Sequence, residues 1–392
     1  MVIRTRRVDF YAFSFALLLI VLIATASRSS MIQFIVIAMY LLTVSYAFKT
    51  YIVIKDDYAF FRMRIVLFLL YMLFAALITT SMQIVRGRNY LERTESTLSG
   101  LVVFTKISIG AFTILLLWNL FEDTKFWQKF IECFLVFFCS YCFLMEYINH
   151  FSTVRESAAA AISKNHISAL IYTGIPLLMF CRQYCGKTIF NSLALILSVV
   201  TVLLQSSRTA YAVLVGIFII YFLLNNEHFV KKTALLVVIL VVGQWIYLRF
   251  SNLIKRGFSF VNISQDDGHR EFLRHCAIKK FNSYGTIEKL IGTGSDQIHA
   301  WGIVLSIHNF GLELLISVGI IGFIVYALFW SDTVLFMITH TSRKKMGFIV
   351  QEAFAFLATG YFQPFYSTSY ICGMLFYISI MVFLMAKGEK YE

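Results

Sequence analysis

Residues 308–338 read HNFGLELLISVGIIGFIVYALFWSDTVLFMI, and within them only Glu313 and Asp332 are acidic and none is Lys or Arg. A helix needs about 20 consecutive apolar residues to cross the hydrocarbon core of a bilayer, and this run is longer. A helix that is apolar all round belongs in a protein core or in lipid. Similar charge-poor runs recur near 9–26, 31–48, 64–83, 99–121, 127–149, 160–180, 188–205, 209–224, 233–250, 347–362 and 369–386. Backbone groups in lipid must be satisfied internally, and period-2 alternation is absent, so helices rather than a barrel are expected. The expected fold is therefore an all-α polytopic membrane protein of about twelve transmembrane helices. Residues 1–392 would form one membrane domain, with 251–307 as a long extracytoplasmic loop module between the ninth and tenth spans.

Composition points the same way. The chain is 59% hydrophobic, 17% aromatic and only 14% charged, whereas soluble domains carry roughly 25% charged residues. Two prolines in 392 residues suit long uninterrupted helices. The first run is not expected to be a cleaved signal peptide, because Ser27-Arg28-Ser29-Ser30 follows it without a small-residue cleavage site and a second run begins at once. The net charge of +13 is read as topogenic rather than as a nucleic-acid footprint, since no basic and aromatic surface stands outside the spans.

Lys and Arg in short loops set orientation. A cytoplasmic N-terminus with Arg4, Arg6 and Arg7 puts Lys49, Lys55, Arg62, Arg64, Lys125, Lys129, Arg182, Lys187, Lys231, Lys232, the run Arg343-Lys344-Lys345, and Lys387 and Lys390 inside. Both termini are then cytoplasmic. The opposite face would carry arginines that the rule does not require: Arg86, Arg88, Arg93, Arg155, Arg208, Arg256, Arg270 and Arg274. Guanidinium groups offer a bidentate fork to phosphate oxygens. Beside helices that exclude water, that suits an anionic, lipid-linked phosphate; contact with lipid head groups is the plainer alternative. Lys106 and Glu146 lie at similar depth in adjacent spans and are read as a pair, or as a snorkelling Lys106.

The seven cysteines carry little chemistry. Only Cys276 falls in the outer segment, so no disulfide framework is possible there, and Cys139-x-x-Cys142 is one turn of an apolar helix. Gly292-Thr293-Gly294 lacks a following Lys-Ser/Thr and reads as a loop, not a nucleotide cradle. Asp266 and Asp267 are adjacent without a third carboxylate nearby, so neither a metal nor any other cofactor is expected.

Four stretches gather on the expected outer face: Ser163-Lys164-Asn165-His166 leading to Pro176, Gln205-Ser206-Ser207-Arg208-Thr209-Ala210-Tyr211, Gly268-His269-Arg270-Glu271-Phe272, and Ser306-Ile307-His308-Asn309-Phe310-Gly311-Leu312-Glu313 running into Gly319 and Gly322. His308 sits at an expected helix start, with Asn309 and Glu313 as i,i+4 neighbours. A helix N-terminus favours the neutral imidazole that a general base needs. Gly319 and Gly322 are expected to admit a neighbouring helix. An interfacial His308 capping a helix, and Arg208 as an anchoring charge, remain the simpler readings.

Together these stretches resemble the bacterial O-antigen ligase and polymerase superfamily, the WaaL-type ligases and Wzy-type polymerases. The resemblance covers roughly 160–330 and rests on Asn165 to Pro176, Ser207-Arg208-Thr209-Ala210, Gly268-x-Arg270, and His308 with Asn309, Glu313 and Gly319, which is similar to the family's His-x10-Gly pattern. The family often has an aromatic or aliphatic residue four positions after the loop arginine; here Arg274 stands there, so the loop arginine is either Arg270 or Arg274. The resemblance implies a GT-C-like glycosyltransferase of the bacterial inner membrane with its active site facing the periplasm. It would transfer glycan from an undecaprenyl-pyrophosphate-linked donor without a metal. His308 would be the base, Arg208, Arg270 and Arg274 would bind pyrophosphate, and Asn309, Glu313, Asn165 and Gly319 would support them.

Two acceptors stay open. A polymerase of O-antigen or capsule repeat units uses a second lipid-linked glycan and works with a chain-length regulator; a ligase uses the lipid A core. The outer arginines Arg86, Arg88 and Arg93 favour the polymerase, which must hold two pyrophosphate-linked substrates. A transporter of lipid-linked sugar would predict two related halves with broken helices, and no such repeat is visible in the sequence.

Overall fold

A computed structural model describes residues 59–86, 124–148, 164–205, 207–224, 260–294, 297–300, 303–307, 309–340 and 345–362, with a few isolated positions. The elements are α1 (Ala59–Arg86), α2 (Thr124–Ile148), α3 (Lys164–Tyr184), α4 (Ile189–Leu204), α5 (Arg208–Leu224), α6 (Phe260–Asn282), α7 (Thr286–Ile291), β1 (Gln297–Ala300), β2 (Ile303–Ser306), α8 (Phe310–His340) and α9 (Met346–Phe362). The described residues are thus helical apart from one antiparallel hairpin, in which Gln297 faces Ser306 and Ala300 faces Ile303. Among the described residues two helices are long and apolar enough to cross a membrane, over 125–148 and 310–339, and four shorter apolar helices lie within α1, α4, α5 and α9. The expected spans at 9–26, 31–48, 99–121, 233–250 and 369–386 lie outside the described residues apart from isolated positions.

The bundle core is aromatic. Along α2, Phe130, Phe134 and Phe138 recur every four residues, so they share one face; their rings stack with centroids 6.1 and 5.4 Å apart, and all three are fully buried. On other faces the same helices expose Phe74, Phe137, Leu144, Ile196, Ile219 and Leu328, as lipid-facing surfaces do. Helices α2 and α4 run parallel, in a constant register that pairs Cys139 with Ser198 at 3.8 Å and Glu132 with Asn191. Glu132 is buried yet satisfied, because it also accepts from the Thr188 hydroxyl at 3.0 Å. Helix α9 runs antiparallel to both α3 and α5. Its Gln351 amide donates to the Ile217 carbonyl at 2.7 Å, and Thr359 meets the Tyr172 hydroxyl at 2.7 Å.

These registers sort the chain into two ends. One collects Lys125 and Lys129 at the start of α2, Arg182 at the end of α3, Lys187 in the turn before α4, and Lys345 at the start of α9. There the Lys345 ammonium lies 4.9 Å from the Tyr184 ring centroid, and the Gln128 amide donates to the Gly186 carbonyl at 2.9 Å. Arg64 of α1 pairs with Asp332 of α8 on the way to the same end. The other end collects the start of α3, the turn at 205–207, the start of α5 and the end of α9.

Helix α8 corrects the expectation of one uninterrupted span. Gly319 adopts φ 69°, ψ −172°, which breaks the helix. In a straight helix Phe310 and Tyr326 would be about 24 Å apart; here their rings lie 5.3 Å apart. Residues 310–318 therefore fold back on 320–340 as a short arm. The break frees the carbonyls of Ile316 and Ser317, which accept instead from the amides of Thr293 at 3.0 Å and Gly294 at 2.9 Å. So the glycine-rich loop at 292–294 is a clasp on the broken helix. Its fit leaves no room for a Cβ on either side: one at Gly292 would overlap the Ser317 carbonyl, and one at Gly319 would overlap the Leu290 carbonyl and the Gly292 amide. Gly319 thus admits the C-terminal end of the short helix α7 and the turn that follows it. The nearest atoms to a Cβ at Gly322 would be those of Val318 in the same element.

The segment 251–307 also departs from a plain loop. Where described it holds α6, α7 and the hairpin, and it closes a small core of its own from Leu273, Ala277, Ile307 and Ile316, with Cys276, Phe281, Tyr284 and Leu312 packed around them. Leu273 and Ala277 supply one i,i+4 stripe of α6. The arm 310–318 completes the module by burying Ile316.

Candidate active site at the end of the bundle

Of the residues singled out from sequence, those that are described fall at the end of the bundle opposite Lys345. Asn165 is half-buried in the first turn of α3. Arg208 opens α5, and the turn before it is capped by the buried Ser207, whose hydroxyl accepts from the Ala210 amide at 3.3 Å. The side chains of Arg208, His166, Asp266, Asp267 and His269 lie outside the described residues, as do His308, Lys106, Arg88, Arg93, Arg155 and Arg256 entirely.

His308 is nonetheless bracketed. Ile307 before it is fully buried in the module core. Asn309 after it is the N-cap of α8 and not a residue within it: its Oδ1 accepts from the Leu312 amide at 3.0 Å, and its carbonyl accepts from the Glu313 amide at 3.0 Å. Asparagine is among the best residues for this role, because its side chain satisfies an amide the helix cannot. Glu313 is fully buried in the arm, where its carbonyl accepts from the Ser317 hydroxyl at 2.5 Å. Glu313 thus turns inward while Asn309 faces the bundle.

Arg270 and Arg274 lie one turn apart on α6, both half-buried. Arg274 reaches across to α9. Its terminal NH2 donates to the Tyr361 carbonyl at 3.5 Å, and its guanidinium carbon lies 4.8 Å from the centroid of the Tyr361 ring. The Asn309 amide donates to the same carbonyl, also at 3.5 Å. Two nitrogens equally distant from one oxygen lie no further apart than twice that distance. Arg274 of the module and Asn309, next to His308, are therefore close neighbours.

Sequence reasoning missed Tyr361 here, and it quoted Gln205 without giving it a role. Tyr361 gathers Arg274 and Asn309, and nothing local in the sequence marks it beyond its place at the end of an apolar run before Pro364. Gln205, three residues before Arg208, is 1% exposed, and neither its amide nitrogen nor its amide oxygen is hydrogen-bonded among the described residues. A polar side chain at the end of the apolar run 188–205 was its available signal. Among the described residues no three His, Cys, Asp or Glu side chains cluster to hold a metal ion.

Chemically, the described residues at this end offer guanidinium donors on α6 and an asparagine amide at a helix start, next in sequence to His308. That set can bind a multiply charged anion and remove a proton beside it. No family model matches the chain, and no curated protein matches it.

Proposed function

We propose that this protein is a membrane-embedded glycosyltransferase that acts outside the cytoplasmic membrane on undecaprenyl-pyrophosphate-linked glycan. The observation that carries the reading is the shared Tyr361 carbonyl, which draws Arg274 from the hydrophilic module and Asn309 from beside His308 onto one point. The starts of α3 and α5, with Asn165 and Arg208, belong to the same end of the bundle. The gathering of Lys125, Lys129, Lys187 and Lys345 at the far end supports an orientation with that far end in the cytoplasm.

In the proposed reaction an acceptor hydroxyl attacks the anomeric carbon of the donor. The bond from that carbon to the pyrophosphate oxygen breaks, and the hydroxyl proton passes to the neutral His308 imidazole. The leaving pyrophosphate gains charge, which guanidinium forks of Arg208, Arg270 and Arg274 stabilise in a low-dielectric site. We assign the acceptor as a second lipid-linked repeat unit, as in an O-antigen or capsule polymerase, on the strength of the outer arginines Arg86, Arg88 and Arg93. The glycan profile of a deletion strain tests this. A polymerase defect leaves a single repeat unit on the core; a ligase defect leaves none attached and lets lipid-linked glycan accumulate. An unchanged profile would remove the glycosyltransferase reading.

A further inference from the structure

Arg274 carries five N–H donors in one plane, and the protein uses few of them. Its terminal NH2 donates to the Tyr361 carbonyl, while its Nε–H is buried and meets no hydrogen-bond partner among the described residues. A buried donor left unmade is destabilising, so a purely structural tie would be expected to satisfy it. The Tyr361 carbonyl belongs to the last turn of α9, whose final four carbonyls have no partner within the helix. It presents the negative end of the helix dipole to the guanidinium. The ring adds a second constraint: with the guanidinium carbon 4.8 Å from its centroid, it limits where the planar group can lie. Tyr361 itself is 54% exposed, so its ring does not fill the core.

We propose that Tyr361 is a positioning residue: its ring and carbonyl hold the Arg274 guanidinium beside Asn309 with an N–H edge open to one phosphate of a pyrophosphate. This rests on the glycosyltransferase reading and goes beyond it by assigning a role to the end of α9. It also gives Arg274 a fork that is fixed before substrate arrives. Pre-fixing matters because a fork that is already oriented loses less freedom on binding.

The test uses the full-length protein in detergent, with Tyr361→Leu and Tyr361→Phe made in the wild-type and Arg274→Ala backgrounds. The probe is undecaprenyl pyrophosphate without sugar, and Kd is read beside kcat and KM for lipid-linked donor. Tyr361→Leu should weaken Kd roughly fivefold, the worth of a partly desolvated cation–π contact, with a matching rise in donor KM and little change in kcat. Tyr361→Phe keeps ring and carbonyl and should stay within about twofold of wild type. In the Arg274→Ala background Tyr361→Leu should add nothing, because the two residues act as one unit. An equal loss in both backgrounds, a loss with Tyr361→Phe as large as with Tyr361→Leu, or no loss at all overturns the proposal while leaving the transferase reading intact. A wild-type protein that neither binds undecaprenyl pyrophosphate nor transfers glycan ends both.

Discussion

Replacing Gly319 with alanine should release the 292–294 loop from the broken helix without unfolding the bundle. At φ 69°, ψ −172° Gly319 occupies a region open essentially to glycine alone, and forcing another residue there costs about 1–3 kcal/mol. The added Cβ would also overlap the Leu290 carbonyl and the Gly292 amide, which are backbone and cannot swing aside. Moving the loop out breaks the bonds from the Thr293 and Gly294 amides to Ile316 and Ser317, each worth about 0.5–1.5 kcal/mol. Together these effects come to about 2–6 kcal/mol of local stability, or roughly 30-fold to 10⁴-fold in the opening equilibrium. Hydrogen exchange read by mass spectrometry on peptides covering 286–294 should show that acceleration, while peptides from α2 and α4 keep their protection. Gly311→Ala is the control on the same arm. Its Cβ would sit 3.4 Å from the Asn309 Oδ1 and 3.9 Å from the Phe323 ring, which is ordinary packing. Wild-type protection at 286–294 in Gly319→Ala would refute the clasp.

Asn309→Ala should cost about 1 kcal/mol by removing the cap of α8; Asn309→Asp keeps the cap but loses the amide donor to Tyr361, so it should spare thermal stability and still impair transfer. Arg208→Lys should impair glycan transfer nearly as much as Arg208→Ala, on the order of 10²-fold, because a point charge does not replace a fork; near-normal product from both variants would leave Arg208 an anchor. A reporter fused at Gly285 should be active outside the cytoplasm, and activity confined to the cytoplasm would invert the orientation and move every proposed site residue to the wrong face.

The helices of the bundle were legible because apolar runs mark them directly: 64–83 falls inside α1, 188–205 matches α4 and 347–362 matches α9 within a residue or two. The break in α8 was not. Both of its arms are apolar, so hydropathy runs straight through Gly319, and only the distant Gly292 explains why glycine is needed there. Helix α6 was hidden for the opposite reason. It is hydrophilic, and its buried stripe holds little more than Leu273 and Ala277, with the rest of that core supplied by Ile307 and Ile316 from further along the chain. Among the site residues, Asn309 could be placed at a helix start from its type and position alone. Its proximity to Arg274 could not, since both meet at a backbone carbonyl of Tyr361, and a carbonyl has no signature in sequence.

The measurement closest to the central claim is glycan transfer by purified wild-type and His308→Gln protein, with lipid-linked donor and acceptor, followed across pH. Wild type should form product, at a rate that falls on acidification as the imidazole takes up a proton. His308→Gln should still bind donor but transfer more slowly by roughly 10²–10⁴, because glutamine can hydrogen-bond yet cannot take up the proton. Full turnover by His308→Gln would contradict the general-base assignment, and a wild-type protein that forms no product from any lipid-linked donor and acceptor pair would contradict the enzyme itself.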